Sequence, residues 1–436
     1  MPAESPKRVF IFLDTMPQRQ GSGASLRFYS NVRAYLDLGF DVDVIQVAQQ
    51  ADGSEPSRDL APVKWKRIIE RAASPTLIGR LSFRAGMPNR AAFQYYYSLH
   101  RVIQREINNR FEHEPGALFH LEGEHMASVI PWLSKSIRCI WSLHDLPSAV
   151  VSATTRIACE AQDREPAQTE QRELRFAEKA ERVVARHAPL ILCIADTDRE
   201  RLRSEWNAQI EYLPMSIPGD GQTRIDGWLR DDRLRILHLG SVSHLPSYRS
   251  LEFLFEQVFP QMPESLLERI EMDVVGTVDD QNPRTKRILE LARKYSNVTF
   301  HGFVSDVVPF YRKSDVQVVA STDATGLRTR TIESFAYGLP VLSTSVGARG
   351  IAGLRPGEQL LIADDSRAFV ENLSRLLKSP ELLSKLSRSG REFYEKNQSR
   401  KAVALKLSEY LQQYFGITSE LVDNHEIETE VDHVSA

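Results

Sequence analysis

Cysteine is scarce: the 436-residue chain has three, Cys139, Cys159 and Cys193. An odd number at wide spacing argues against a disulfide framework. Two of the three sit in the apolar runs "RCIWSL" and "LILCIA", where buried thiols are common, so the chain reads as one from a reducing compartment. An excess of either charge is also missing. Lys and Arg total 55, Asp and Glu 58, and the net charge of −3 offers no global attraction to nucleic acid, so a polyanionic partner would need a local patch. Long apolar runs are absent too. No stretch approaches the length that spans a bilayer and no signal peptide precedes the first apolar run, 9–13, so the expected location is the cytoplasm.

What is present is the composition of a water-soluble globular chain, 42% hydrophobic and 26% charged. The length exceeds the roughly 250–300 residues at which one hydrophobic core stops growing, which predicts two or three domains. The chain opens with the apolar run "RVFIFLD", then "TMPQRQGSGAS", then an apolar period of 3.6 over 26–38 that stops at Gly39. That order is strand, glycine-rich loop, helix and glycine cap. "DVDVIQV" follows as a second strand, which makes a βαβ unit and predicts a parallel sheet. "ALFHLE", "IRCIWSLH" and "LILCIA" are further strand candidates.

Around Pro214 the pattern breaks into "PMSIPGDGQTRIDGWLRDDR", rich in proline, glycine and charge, as a linker is. A second α/β series then runs through "RILHLG", "MDVVG", "VTFHGF", "VQVVAS" and "PVLSTS". The expected architecture is α/β, two doubly wound Rossmann-like domains facing each other across a cleft, with the crevice between them as the default ligand site. The expected boundaries are an N-terminal Rossmann-like domain over 1–214, a linker over 215–232, and a C-terminal Rossmann-like domain over 233–400. A helix over 401–415 is expected to pack back toward the first domain, followed by an acidic, disordered tail over 416–436.

The stretch 323–350, "DATGLRTRTIESFAYGLPVLSTSVGARG", places two arginines and one glutamate where a loop turns into a helix. Ligands of open α/β sheets bind beyond the C-terminal strand ends, where helix N-termini favour anions. In a helix beginning near Leu327, Arg328 and Arg330 fall in or beside the first turn, where guanidinium forks can grip a diphosphate. Glu333, about one turn on, suits the vicinal hydroxyls of a ribose. The same residues also fit a solvated face with local ion pairs, and this stretch alone leaves both readings open.

Several stretches together carry a resemblance. "GLRTRTIESFAYGLPVLSTSVGARGI" resembles the C-terminal motif of family 4 of the retaining, nucleotide-sugar-dependent glycosyltransferases, which have the two-domain GT-B fold. "ILHLGSVSHLPSY" resembles that family's first C-domain strand and glycine loop, and "VTFHGFVSDVVPFYRKSDVQVV" its base-covering strand and helix. In the N-terminal half "GSGAS", "IWSLHD", "CIADTDRERL" and "IEYLPMSIP" agree in order and spacing, so the resemblance covers most of 8–415. It implies a donor site of Gly240, Ser241, Gly326, Arg328, Arg330 and Glu333, in which Glu333 binds the ribose and Arg330, where a lysine is usual, holds the diphosphate. Thr325 stands where the first glutamate of the family's pair would contact the donor sugar, a departure that bears on donor choice or on activity itself. Gly21, Ser22 and Gly23 fall at the acceptor-side loop. Ser343, Thr344, Ser345 and Gly347 are given structural roles.

His144, followed by Asp145, ends the apolar strand "IRCIWSL" and would point an imidazole into the crevice. The resemblance implies a place near the donor sugar, which makes this pair the catalytic candidates. "HLEGEH" puts His120 and Glu122 on one side of a strand with His125 following, but the spacing matches no standard metal set, so no metal is expected. No cofactor is expected either, beyond a UDP- or GDP-sugar co-substrate. As a phosphate motif Gly21 and Gly23 are weak, and a tight turn explains them.

The patch that the net charge conceals lies between 63 and 110. Lys64, Lys66, Arg67, Arg71, Arg80, Arg84, Arg90, Arg101, Arg105 and Arg110 face only Glu70 and Glu106, with aromatics interleaved. An anionic membrane surface, a lipid-diphosphate acceptor and a plain solvated basic helix all fit it; nucleic acid is not expected. Three functions remain: a glycosyltransferase of polysaccharide or glycolipid synthesis, in the cytoplasm or peripheral at the inner membrane face; a GT-B-fold nucleotide-sugar epimerase; and a non-catalytic nucleotide-sugar-binding scaffold.

Overall fold

The computed structural model describes residues 7–18, 23–50, 55–70, 76–162, 164–219, 227–322 and 327–422. Thr325, Gly326, Gly21 and Ser22, and the end of the acidic tail, lie outside these described residues. The chain divides into two compact units, one of 1–216 with 400–436 and the other of 217–399.

In the first unit the apolar runs become strands because their residues are buried on both faces, as a parallel sheet covered by helices requires. The strands are β1 (Arg8–Leu13), β2 (Asp41–Ala48), β3 (Lys64–Ile69), β4 (Leu118–Glu122), β5 (Arg138–Leu143), β6 (Leu190–Cys193) and β7 (Ile210–Tyr212). They form one sheet in the order β3-β2-β1-β4-β5-β6-β7, with every pair parallel. Phe10 and Phe12 feed one apolar layer and Val9, Ile11 and Leu13 the other. The three cysteines are buried and free, and burial pushes the Cys139 and Cys193 thiols up to about 12.

The helix Gly23–Asp37 follows β1. It buries Ser25, Arg27, Ser30, Asn31 and Arg33 as well as its apolar residues: Arg27 and Ser30 meet the segment 213–216, Asn31 meets Glu122, and the helix Arg400–Phe415 packs on the apolar residues through Val403, Leu407 and Tyr410. Arg400 pairs with Asp37. Part of the basic run is not helical. Lys64, Lys66 and Arg67 lie on β3, the edge of the sheet, where alternating charge is compatible with a half-exposed strand.

The second unit repeats the plan with β8 (Leu234–Leu239), β9 (Ile270–Val275), β10 (Val298–Gly302), β11 (Val316–Val319), β12 (Val341–Ser343) and β13 (Leu361–Ile362). Their order is β10-β9-β8-β11-β12-β13, again parallel throughout. Strand order reverses direction at β1/β4 in the first sheet and at β8/β11 in the second. Such switch points open a crevice beyond the strand ends, where ligands of this architecture bind.

Candidate functional site

At the switch point of the second sheet, β8 ends in Gly240. Its φ of +144° is open only to glycine at low cost. Space enforces the same choice, since a Cβ there would lie 2.1 Å from Ser247 Oγ and 2.7 Å from Arg330 Nη2. Gly276, after β9, presses its backbone against Gly240 in the same way, its Cβ position falling 2.3 Å from the Gly240 carbonyl. The chain is thus held close enough for the Arg330 guanidinium to lie against the turn. Ser241 follows, its hydroxyl 3.1 Å from that of Ser243. The helix Leu245–Phe253 then begins with Pro246 in its first turn and no side-chain cap, which leaves its first amide groups unclaimed by a side chain.

The facing helix starts later than its sequence pattern indicates, at Thr329, and runs to Ala336. Arg328 occupies its N-cap with extended backbone, and Arg330 lies in its first turn. Arg330 donates no hydrogen bond to any described residue. Burial lowers its pKa, while Tyr311 and Glu333 support its charge. Glu333 is half-buried one turn on, and burial raises its carboxyl pKa. Tyr311 lies beside it, stacked on Tyr337 with ring centroids 4.6 Å apart, and burial followed by the Glu333 charge pushes its phenol well up.

A third cation joins the two arginines, one that no sequence motif marks. Arg284, in the first turn of the helix Pro283–Ala292, donates to the Ser243 carbonyl at 3.3 Å. The joint field of these cations is visible on His244, whose pKa is lowered by burial and then by Arg330, Arg328 and Arg284. His238, buried on β8, is pushed down to about 3 by burial and Arg330. His238, Ser247, Ser250, Ser321, Arg328 and Arg330 line a cavity of about 20 Å3, room for a single water. The hydroxyls of Ser247 and Ser250 have no protein partner there. Three arginines gathered near a tight turn and two helix N-termini make this end of the second sheet positively charged, a chemistry that suits an anion.

Ser343, Thr344 and Gly347 hold the neighbouring turn. Ser343 Oγ donates to the Val319 carbonyl at 3.1 Å, Thr344 Oγ1 to the Ser321 carbonyl at 2.6 Å, and a Cβ on Gly347 would lie 2.6 Å from the Val319 oxygen. Ser345 binds Asp364 through both its amide and its hydroxyl, each at 2.7 Å.

The first unit has its own polar cluster at its switch point. Glu122, the last residue of β4, is 1% exposed. Its Oε1 accepts from Asn31 Nδ2 at 2.6 Å, and its Oε2 lies 3.0 Å from His144 Nε2. A carboxylate can only accept, so the His144 Nε2 carries a proton. The ring of His144 also packs on Phe28, with centroids 5.0 Å apart. His120, fully buried, meets the Tyr35 hydroxyl through Nδ1 at 2.9 Å. Burial holds His120 at about 4. Burial would raise the Glu122 pKa, but His120, His144 and Arg27 outweigh it and hold the carboxyl at about 2.

Arg27 is buried outright. Its Nη1 donates to the Leu213 and Pro214 carbonyls at 3.0 and 3.2 Å, whereas Nε and Nη2 have no partner. Asp145 follows His144, half-buried and engaged in contacts of its own. Gly23 opens the helix Gly23–Asp37, exposed. His125 does not join the cluster; it is exposed, beside Glu124 and Tyr97. Among the described residues no group of three or more His, Cys, Asp or Glu is placed to hold a metal ion.

Residues 233–379 match the family model "Glycosyl transferases group 1". No curated protein matches the chain in sequence. Among solved structures the chain is similar to sucrose-phosphate synthase from Thermosynechococcus elongatus, with a TM-score of 0.65 and 18% identity over 94% of this chain and 99% of that one. It is similar to S. aureus TarM in complex with fondaparinux, alpha-GlcNAc-glycerol and UDP, with a TM-score of 0.64 and 9% identity over 94% of this chain and 100% of that one. It is also similar to Anabaena HepE in complex with UDP, with a TM-score of 0.62 and 12% identity over 93% and 100% of the two chains. At such identities the likeness speaks for the fold, and the matched segment contains the arginine site. The segment 233–379 is thus similar to glycosyl transferases group 1, and the chain as a whole has the α/β fold of the GT-B glycosyltransferases.

Proposed function

We propose that the chain is a glycosyltransferase that moves a hexosyl or related unit from a UDP- or GDP-sugar to a saccharide or lipid-linked saccharide acceptor. Transfer retains the anomeric configuration and needs no metal ion. The setting is polysaccharide or glycolipid synthesis at the inner face of the cytoplasmic membrane. The observation that carries this reading is the convergence of Arg284, Arg328 and Arg330 on the Gly240 turn, inside the segment that matches the family model. Complexes of two similar folds with UDP support a nucleoside diphosphate as the anion.

In this reading Glu333 accepts the two ribose hydroxyls, and the arginines with the helix N-termini hold the diphosphate. When the bond between the anomeric carbon and the diphosphate oxygen breaks, its electron pair stays on that oxygen, and Arg328 and Arg330 neutralise the charge. The acceptor oxygen forms its bond on the same face, and its proton passes to the departing phosphate. His144 Nδ1 accepts from a sugar hydroxyl, with Glu122 holding the ring, and Asp145 lies at the same strand end.

Transfer is tested by incubating the protein with labelled UDP- and GDP-sugars, with and without EDTA and with saccharide or polyprenyl-linked acceptors. Acceptor-dependent release of nucleoside diphosphate that survives EDTA and is lost in His144→Ala supports the reading. Interconversion of donor sugars without acceptor would make the protein an epimerase. Binding without turnover would make it a scaffold, an outcome compatible with Thr325 in place of the first glutamate of the family's pair.

A further inference from the structure

The helix Leu77–Arg84 is mounted the wrong way round for a soluble protein. The residues it buries are Gly79 and Ser82, whereas Leu77 is 72%, Ile78 69% and Leu81 54% exposed, with Met87 beyond the helix end at 50%. Geometry fixes this orientation. Gly79 brings the backbone so close to the helix Arg90–Tyr96 that a Cβ would lie 2.5 Å from the Ala91 carbonyl and 3.1 Å from Tyr95 Cβ. Asn89 Nδ2 donates to Ser82 Oγ at 3.0 Å, Thr76 caps the first turn, and Lys179 Nζ donates to the Gly86 carbonyl at 3.0 Å. The helix therefore docks through its small and polar face and presents its apolar face outward, against the usual rule for amphipathic helices. Neighbouring exposed apolar side chains of this kind mark an interaction site.

Charge identifies the occupant. Most of the basic run already has partners: Lys66 and Arg110 bind Glu106, Arg105 binds Glu70, and Arg67 and Arg90 bind the side-chain oxygens of Gln46 and Gln104. Arg80 and Arg84 have none among the described residues. They lie three and seven positions after Leu77, so at 3.6 residues per turn they flank the Leu77–Leu81 side of the exposed face. Apolar side chains with arginines along one edge match a bilayer surface, where alkyl groups enter the acyl boundary and guanidinium groups stay among anionic headgroups. A two-fold contact between copies through this face would bring two Arg80/Arg84 pairs together, a like-charge juxtaposition that disfavours it.

We propose that the helix Leu77–Arg84, with Met87, is the element that docks this protein on an anionic lipid surface. This deepens the membrane setting proposed above by naming its docking element, and it is read without donor or acceptor, so it stands or falls apart from the transfer reaction. The test is co-sedimentation of the full chain with vesicles of phosphatidylcholine containing phosphatidylglycerol, against vesicles of phosphatidylcholine alone. All the substituted side chains are exposed, and circular dichroism verifies the fold of each variant. Binding is expected to the anionic vesicles and to weaken with salt. At about 1 kcal/mol per basic residue near such a surface, Arg80→Gln/Arg84→Gln should lower the partition coefficient roughly 25-fold. Leu77→Gln/Ile78→Gln/Leu81→Gln should lower it on the order of 100-fold. Equal binding to neutral vesicles, no binding to either, or binding unchanged in both variants would overturn the proposal. So would a dimer in sedimentation velocity that the triple variant abolishes, which would give the face to a second copy.

Discussion

Replacing Glu122 with glutamine removes one buried charge and almost no volume, and so isolates what that charge does. The carboxylate is held at about 2, against a usual value of 4.5, a separation that corresponds to about 3 kcal/mol of stability at neutral pH. The same figure follows from the other partner. Glutamine leaves Arg27 buried with Nε and Nη2 unpartnered among the described residues and without the charge that supports it most, and removing one member of a buried charge pair costs about 3–5 kcal/mol. Four of the five tryptophans, Trp65, Trp132, Trp141 and Trp206, belong to the first unit, so fluorescence during urea unfolding follows that unit. With a slope near 3 kcal/mol/M, the midpoint of Glu122→Gln should fall by about 1 M. Adding Arg27→Met to this variant should restore at least half of the loss, because the stranded charge is then removed. A fall below about 0.3 M, beyond which the extrapolation error no longer matters, would refute the reasoning, as would a double variant no more stable than the single one.

Other outcomes follow from the same contacts. His100 and His120 are each depressed from 6.5 to about 4, mainly by burial. Their contribution is therefore in place above pH 6.5 and is lost as pH falls through 4, by about 3 kcal/mol for each; a first unit equally stable at pH 7 and pH 5 would contradict this. Glu122, depressed as well, adds its loss only below pH 4.5 and down through about 2. Gly240→Ala forces a Cβ into Ser247 and Arg330 at a φ that costs about 1–3 kcal/mol, so calorimetry should find the second unit melting lower and nucleotide binding at least about tenfold weaker. His144→Ala should lower turnover by about 100-fold or more at unchanged nucleotide affinity, and Glu122→Gln should move turnover in the same direction, since it frees the ring; unchanged kcat in both would remove the pair from the mechanism.

The alternation of strands and helices was legible because buried parallel strands are short continuous apolar runs, and β1, β4, β5 and β8 are such runs. β3 was not, since Lys64, Lys66 and Arg67 alternate with apolar residues on an edge strand and read as part of a basic patch. That Arg330 and Glu333 share one helix was legible by their spacing. Arg284 was not, because it reaches the Gly240 turn from a helix some forty positions on, and nothing local to "NPRTKR" marks it. Glu122 was noticed only as part of a metal pattern. Its place under His144 depends on β4 and β5 being neighbours in register, Glu122 opposite Ser142, which is a property of the sheet and not of either segment. Nothing local to Arg27 shows that it is buried, because the carbonyls it donates to, those of Leu213 and Pro214, come from far along the chain.

In the proposed function the arginine turn of the second unit binds a nucleoside diphosphate with Glu333 on the ribose. Thermal unfolding of the parent, Arg330→Ala and Glu333→Ala against UDP, GDP, ADP, dTDP and CMP tests it directly. One nucleoside diphosphate is expected to raise the melting temperature of the parent selectively, and neither variant is expected to respond. No shift with any nucleotide, or a shift that both variants retain, would contradict it.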